Sequence, residues 1–251
     1  MDLGLRDRVY VVTGGARGLG RATAGLLVAE GSRVVLSGRN RDSLDAAVAE
    51  LGESAVAVAG DNAAPDTASR VVEAAKDTWG RLDGALISVG GPPPGPALEV
   101  TDEVWTSSFQ SVFVGGLRVA RTVAAAMTGP GAIAFVLSTS VRAPISNLAV
   151  SNGLRPGLAM VAKTLADELG PRDIRVNGLL PGRVATERVA ELDEATGDAA
   201  AARERAIAGI PLGRNGEPEE FAAAAAFLLS PASSFVNGVM LPVDGGMTRS
   251  L

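Results

Sequence analysis

Chemistry in this chain has to be done with few tools. The sequence holds no histidine and no cysteine, and its one tyrosine is Tyr10. The usual zinc ligand and general base are therefore missing, thiolate chemistry and disulfides are excluded, and no metal site is expected. The spacing that does suggest chemistry belongs to glycines. Gly14, Gly18 and Gly20 follow the apolar run Val9–Thr13 and lead through Leu19 into an alanine-rich segment. Glycines so placed allow a tight turn, close approach of backbone to a phosphate, and tight contact between helix and strand. A helix starting near Leu19 offers its N-terminal N–H groups and positive dipole end to a pyrophosphate. A strand before the glycines and a helix after them is the setting that dinucleotide binding requires. The alternative is a relic of such a fold with an empty site.

The kind of nicotinamide nucleotide is set further along. An NAD site usually carries an acidic residue about 20 positions after the glycines, to hold the ribose 2′-hydroxyl. Here the second strand ends Ser37-Gly38-Arg39-Asn40, with no carboxylate. Arg39, helped by Arg17 from the glycine turn, suits a 2′-phosphate, because the guanidinium fork matches phosphate oxygens. NADP(H) is expected over NAD(H); two solvated surface arginines are the alternative.

These residues need an α/β frame. Predicted strands are Arg8–Thr13, Arg33–Ser37, Ala55–Ala59, Gly84–Ser88, Ala132–Ser138, Arg175–Leu179 and Val239–Val243. Predicted helices are Leu19–Glu30, Arg41–Leu51, Asp66–Trp79, Asp102–Met127, Leu148–Leu169 and Pro218–Leu229. The alternation is that of βαβ units around a parallel sheet, and 251 residues suit one domain, 1–251. Two segments follow strands and should lie over the carboxyl edge of the sheet: the rigid loop Gly90–Pro96, and a lid over about 186–210. Within the lid, Glu187, Arg188 and Glu191 are expected to be solvated. Both segments suggest a mainly apolar pocket for a small-molecule substrate, with a rigid edge loop and a mobile cover as the plainer reading. The formal charge of −5 argues against a nucleic-acid partner, and no apolar run is long enough to span a bilayer. The first residues lack the layout of a signal peptide, so a cytoplasmic location is the default expectation.

With these residues in hand, the chain resembles the short-chain dehydrogenase/reductase family over essentially its full length. The resemblance rests on Thr13-Gly14 with Gly18-Leu19-Gly20, Asp61 after the third strand and Gly90 after the fourth. Ser138, Pro181-Gly182 and the late Val243-Asp244-Gly245-Gly246 complete it. It implies a Rossmann-type, doubly wound sheet of seven parallel strands flanked by helices. It also implies that Asp61 and Asn62 lie at the adenine, Gly90 near the ribose, and Pro181, Gly182, Val184 and Thr186 around the nicotinamide. Homotetramers or homodimers are common in the family.

The family's catalytic Asn, Ser, Tyr and Lys are matched here only by Ser138. Val112 falls at the asparagine position, Ser151 at the tyrosine position and Arg155 at the lysine position, while Lys163–Leu169 keeps the alignment of that helix without a gap. Reducing a carbonyl needs a proton at the developing alkoxide, and general acid catalysis is worth about 10²–10⁴-fold. A serine hydroxyl is shorter and far less acidic than tyrosine, so Ser151 is no simple replacement. Three readings stay open. The first is an NADP(H)-dependent reductase with a non-standard proton relay, in which Ser138, with Ser151 holding a water, polarises an oxygen and Arg155 anchors the cofactor, acting on a carbonyl or an activated C=C bond. Arg142, Asn147 and Asn152 are further polar candidates near its pocket. The second is a catalytically silent NADP(H) binder serving as sensor or assembly partner. The third is ordinary dehydrogenase activity with a proton donor from the lid; Tyr10, expected in the core, is no help.

Overall fold

Alternation along the strands decides the architecture. In Val9–Thr13 (β1), Val9 and Val11 enter one core while Tyr10 and Val12 enter another, and all four are buried. Burial on both faces is what a central parallel strand requires, because helices cover each side. The computed structural model describes residues 2–250. Met1 and Leu251, the ends of the expected 1–251 domain, lie outside the described residues.

The remaining strands are Arg33–Gly38 (β2), Ala55–Ala59 (β3), Gly84–Ile87 (β4), Gly131–Val136 (β5), Ile174–Pro181 (β6) and Met240–Val243 (β7). They form one seven-stranded sheet in the order β3-β2-β1-β4-β5-β6-β7, parallel throughout. The expected Rossmann-type, doubly wound α/β fold is the one observed. The strand order reverses between β1 and β4, so the crevice beyond their carboxyl ends is where such a sheet takes a ligand.

The helices are Gly18–Ala29 (α1), Arg41–Leu51 (α2), Thr67–Trp79 (α3), Asp102–Ser108 (α4), Gly115–Ala126 (α5), Ala149–Leu169 (α6), Glu187–Glu194 (α7), Ala199–Ala208 (α8) and Pro218–Leu229 (α9). One core joins α3, α5 and α6 to the sheet through Val71, Val119, Ala120, Leu158 and Ala162, against Val11, Ile133 and Phe135. The other joins α1, α2 and α9 through Leu27, Leu44 and Phe221, against Tyr10, Leu36 and Leu86. Helix ends follow local chemistry. The Asn40 side chain caps α2 by accepting from the Ser43 N–H at 2.8 Å. α9 opens on Pro218, where no N–H is needed, with a capping box between Glu217 and Glu220.

Two expectations need correction. The helix predicted over Asp102–Met127 is not continuous: a π-helical turn, Phe109–Val114, separates α4 from α5. Just past it, a Cβ on Gly115 would lie 2.4 Å from the Asn62 carbonyl oxygen, so only glycine lets this segment meet the loop after β3. β5 stops at Val136, two residues before its expected end, because Ser138 starts a short 3-10 turn and accepts from the Ser140 N–H. The lid region forms two helices, α7 and α8. No helix among the described residues is long and apolar enough to cross a membrane.

Candidate active site

The glycine turn is built for close approach. Thr13 Oγ1 donates to the Ser88 carbonyl and accepts from the Ser88 N–H, both at 2.9 Å, clamping the carboxyl ends of β1 and β4. Gly14 sits at φ +61° and Gly18 at φ +54°, in the left-handed region that glycine occupies without strain. A Cβ on Gly14 would lie 2.6 Å from the Ser88 oxygen, and one on Gly20 would lie 2.3 Å from the Gly14 oxygen. No side chain caps the start of α1 and no carboxylate stands in its first turn. Those N–H groups thus keep their capacity for an anion, and the residues present fit a pyrophosphate. Leu19 anchors the turn by packing on the α1-side core.

The other expected cofactor residues stand at the carboxyl ends of the strands or in the segments that follow them. Arg39 is exposed and has no side-chain partner among the described residues, while Asn40 is occupied in its cap. Arg17 is exposed and reaches Glu191 of α7 at 3.3 Å. Asp61 turns its carboxylate onto the Ala63 N–H at 2.8 Å, and the Asn62 carbonyl accepts from Arg118. Gly90 is exposed, and a Cβ there would meet nothing within 4 Å. Pro181 ends β6, and a Cβ on Gly182 would lie 2.5 Å from that of Asp244. Val184 is buried and bridges to Gly216. Thr186 opens α7 and lies against Gly18, so the glycine turn and the lid meet at one point.

The three candidate catalytic residues gather beyond β5. Ser138 Oγ accepts the Ser140 N–H at 3.1 Å, which leaves its own hydroxyl proton free to donate. Ser151 is only 6% exposed, and its hydroxyl shares a hydrogen bond with Ser140 Oγ at 3.2 Å. Ser138 and Ser151 are therefore linked through Ser140, a residue sequence reasoning passed over although it stands two places from Ser138. One turn along α6, Arg155 is 5% exposed and donates from Nη1 to the Val136 carbonyl at 2.8 Å. It forms no ion pair with any described carboxylate. Burial, with the nearby positive charge of Arg188, pushes its pKa down to about 10, so it remains a cation at neutral pH. Val112 is 2% exposed and packs with Val150 and Leu154, making the wall beside these groups apolar. Tyr10 is buried on β1 with its hydroxyl donating to the Leu229 carbonyl at 3.1 Å, so it takes no part here.

The further polar candidates are used to hold loops. Asn152 exchanges two hydrogen bonds with the Ile145 backbone, and the Asn147 carbonyl accepts the Gly95 N–H. Arg142 is exposed. The lid departs from expectation at Arg188. Rather than standing in solvent, its guanidinium donates to the Pro92 carbonyl at 2.8 Å and tethers α7 to the proline-rich loop. Arg183 and Asp193 form a second, largely buried tie between the end of β6 and the lid. Nothing in the local sequence distinguishes Arg188 from a surface helix residue.

Comparison with known proteins agrees with this geometry. The family described as enoyl-(acyl carrier protein) reductase matches residues 14–248. L-rhamnose 1-dehydrogenase (NAD(P)(+)) of Azotobacter vinelandii is 31% identical, covering 98% of this chain and 99% of its own. A short-chain dehydrogenase/reductase from Brucella melitensis superposes over 100% of both chains, with a TM-score of 0.93 and 29% identity. The chain belongs to the short-chain dehydrogenase/reductase family. Its structure is also similar to L-sorbose reductase from Gluconobacter frateurii, solved with NADPH and L-sorbose, at a TM-score of 0.94 and 30% identity over the whole of both chains. These likenesses support an oxidoreductase of the short-chain dehydrogenase/reductase type.

Proposed function

We propose that the protein is an NADP(H)-dependent reductase of a small carbonyl or activated C=C substrate, working with a non-standard proton relay. The observation that carries the reading is the pairing of an anion-ready glycine turn with Arg39, a partnerless guanidinium at the tip of β2 where no carboxylate stands. Likeness to a reductase solved with NADPH supports the choice of nucleotide. Gly14, Gly18, Leu19 and Gly20 would hold the pyrophosphate, Arg39 and Arg17 the 2′-phosphate, Asp61 and Asn62 the adenine end, and Gly90 with Pro181–Thr186 the nicotinamide end. The bound cofactor supplies the hydride.

The chain's own residues then handle oxygen and charge. Ser138, its Oγ already accepting from the Ser140 N–H, directs its hydroxyl proton at the substrate oxygen. Arg155 provides a fixed positive charge against the alkoxide or enolate that develops, in a site where burial weakens dielectric screening. Ser151, the counterpart of the family's tyrosine, is a poor acid whose hydroxyl is shared with Ser140. The proton that completes the reaction therefore comes from water. This favours conjugate reduction: the enolate needs charge stabilisation at oxygen, while its carbon is protonated by solvent. NADPH consumption against matched panels of ketones and enones tests the proposal. Turnover should fall by about 10²-fold or more in Ser138→Ala, the scale for losing one polarising donor. No turnover with either panel, together with tight NADPH binding, would leave the silent-binder reading instead.

A further inference from the structure

The two arginines assigned to the 2′-phosphate are not in the same condition. Arg39 is exposed with no side-chain partner among the described residues, whereas Arg17 already holds an anion. Its Nη1 donates to Glu191 Oε1 at 3.3 Å, across 174 positions of chain, so the fold and not the local sequence brings this carboxylate of α7 to the glycine turn. The lid meets the turn at a second point. Glu187, one helical turn before Glu191 and so on the same face, has its Oε2 3.7 Å from where a Cβ on Gly18 would stand. Two lid carboxylates therefore lie against the turn to which phosphates are assigned. A phosphate on Arg17 would stand beside Glu191, like charge against like charge.

Glu191 has an alternative partner. Its other oxygen, Oε2, lies 3.6 Å from Arg188 Nη1, and Arg188 is fixed to the Pro92 carbonyl at 2.8 Å. One carboxylate thus bridges two guanidinia, one on the glycine turn and one on the lid itself, and losing the first leaves the second in place.

We propose that Glu191 sets nucleotide specificity through Arg17: it occupies this guanidinium until a 2′-phosphate displaces it. NADP(H) then unties α7 from the glycine turn and leaves it tied to the proline-rich loop through Arg188. NAD(H) presents only a neutral hydroxyl at the 2′ position and cannot draw Arg17 from the carboxylate. The state of the lid is thereby coupled to the identity of the nucleotide. The proposal rests on the assignment of Arg17 to the 2′-phosphate and is independent of turnover.

Calorimetry with the full chain compares NADP⁺ with NAD⁺ and 2′,5′-ADP with 5′-AMP. Glu191→Gln removes the charge and keeps the shape. It should tighten NADP⁺ and 2′,5′-ADP by about two- to fivefold, the scale of an exposed ion pair, and leave NAD⁺ and 5′-AMP unchanged. Glu194→Gln, which removes an equal charge from an exposed position at the end of the same helix, should change none of the four. In an Arg17→Met background the gain from Glu191→Gln should vanish, because both substitutions remove one contact. Amides of α7 should exchange hydrogen faster with 2′,5′-ADP bound than with 5′-AMP, a difference lost in Glu191→Gln. A gain shared equally by NAD⁺ and 5′-AMP, or one that persists in Arg17→Met, would mark a general charge effect and overturn the proposal. No gain in Glu191→Gln would overturn it too; if NADP⁺ is still preferred, the nucleotide reading stands without it. An α7 that exchanges alike with the two ligands would overturn the link to the lid. Equal affinity of the native chain for NADP⁺ and NAD⁺ would remove the nucleotide reading and this proposal together.

Discussion

Replacing Arg155 by methionine should make the protein more stable while impairing its chemistry. Arg155 is 5% exposed and pairs with no carboxylate among the described residues, and burial holds its pKa down at about 10. At about 1.4 kcal/mol per tenfold change in the proton equilibrium, that depression is a penalty of roughly 3 kcal/mol on the charged form. The sign follows from linkage: the folded chain binds this proton less tightly than the unfolded chain. The penalty is fully present at neutral pH and fades only as pH rises above about 10. Against it stands the hydrogen bond to the Val136 carbonyl, whose loss leaves a buried acceptor unpaired at a cost of about 1–3 kcal/mol. Methionine fills most of the same volume and carries no charge. The net expectation is a gain of about 1 kcal/mol, or roughly 2–4 °C in Tm for a chain of this size. Thermal unfolding followed by circular dichroism at pH 7 without ligand measures it. Breaking an ordinary buried ion pair would instead cost about 3–5 kcal/mol. A Tm lowered by roughly 6 °C or more would therefore refute the claim that this cation lacks a counter-charge.

Other consequences are independent of that residue. Tyr10→Phe leaves the Leu229 carbonyl without its donor and should destabilise by about 1 kcal/mol with no change in turnover, checked by denaturant melts and NADPH oxidation together. Gly115→Ala forces a methyl toward the Asn62 oxygen, so it should cost about 1–3 kcal/mol and weaken nucleotide binding through the loop after β3. Arg214 holds the Glu220 carboxyl down to about 2, so its support of the α9 capping box persists above the ordinary glutamate range and is lost as pH falls through about 2. Carboxyl NMR should place the Glu220 midpoint near 2, moving up toward the ordinary value in Arg214→Gln.

The frame was legible because its signals are local. Alternating Val9 to Val12, the glycines of the first turn and Pro218 at a helix start each state one structural demand, and the sheet and helices obey them. The break of the 102–127 helix was not legible, since the residues of the π turn, Phe109–Val114, are ordinary helix formers by pattern. Just past the turn, Gly115 meets the Asn62 carbonyl across the fold. The candidate site divides in the same way. Ser138, Ser151 and Arg155 came into view only through the family resemblance, and they gather at the end of β5. That Arg155 has no counter-ion among the described residues, that Ser140 links the two serines, and that Arg188 reaches Pro92 are facts of tertiary contact. No run of neighbouring residues encodes them.

Hydride transfer itself tests the central claim most directly. Incubating the protein with NADPH deuterated at both C4 positions, and with the panels of ketones and enones, then weighing products by mass spectrometry, follows the transferred atom. The account predicts one deuterium on product carbon for at least one acceptor, with the second new hydrogen drawn from solvent and the yield reduced in Ser138→Ala. Unlabelled acceptors recovered unchanged, beside a protein that binds NADPH, would contradict it.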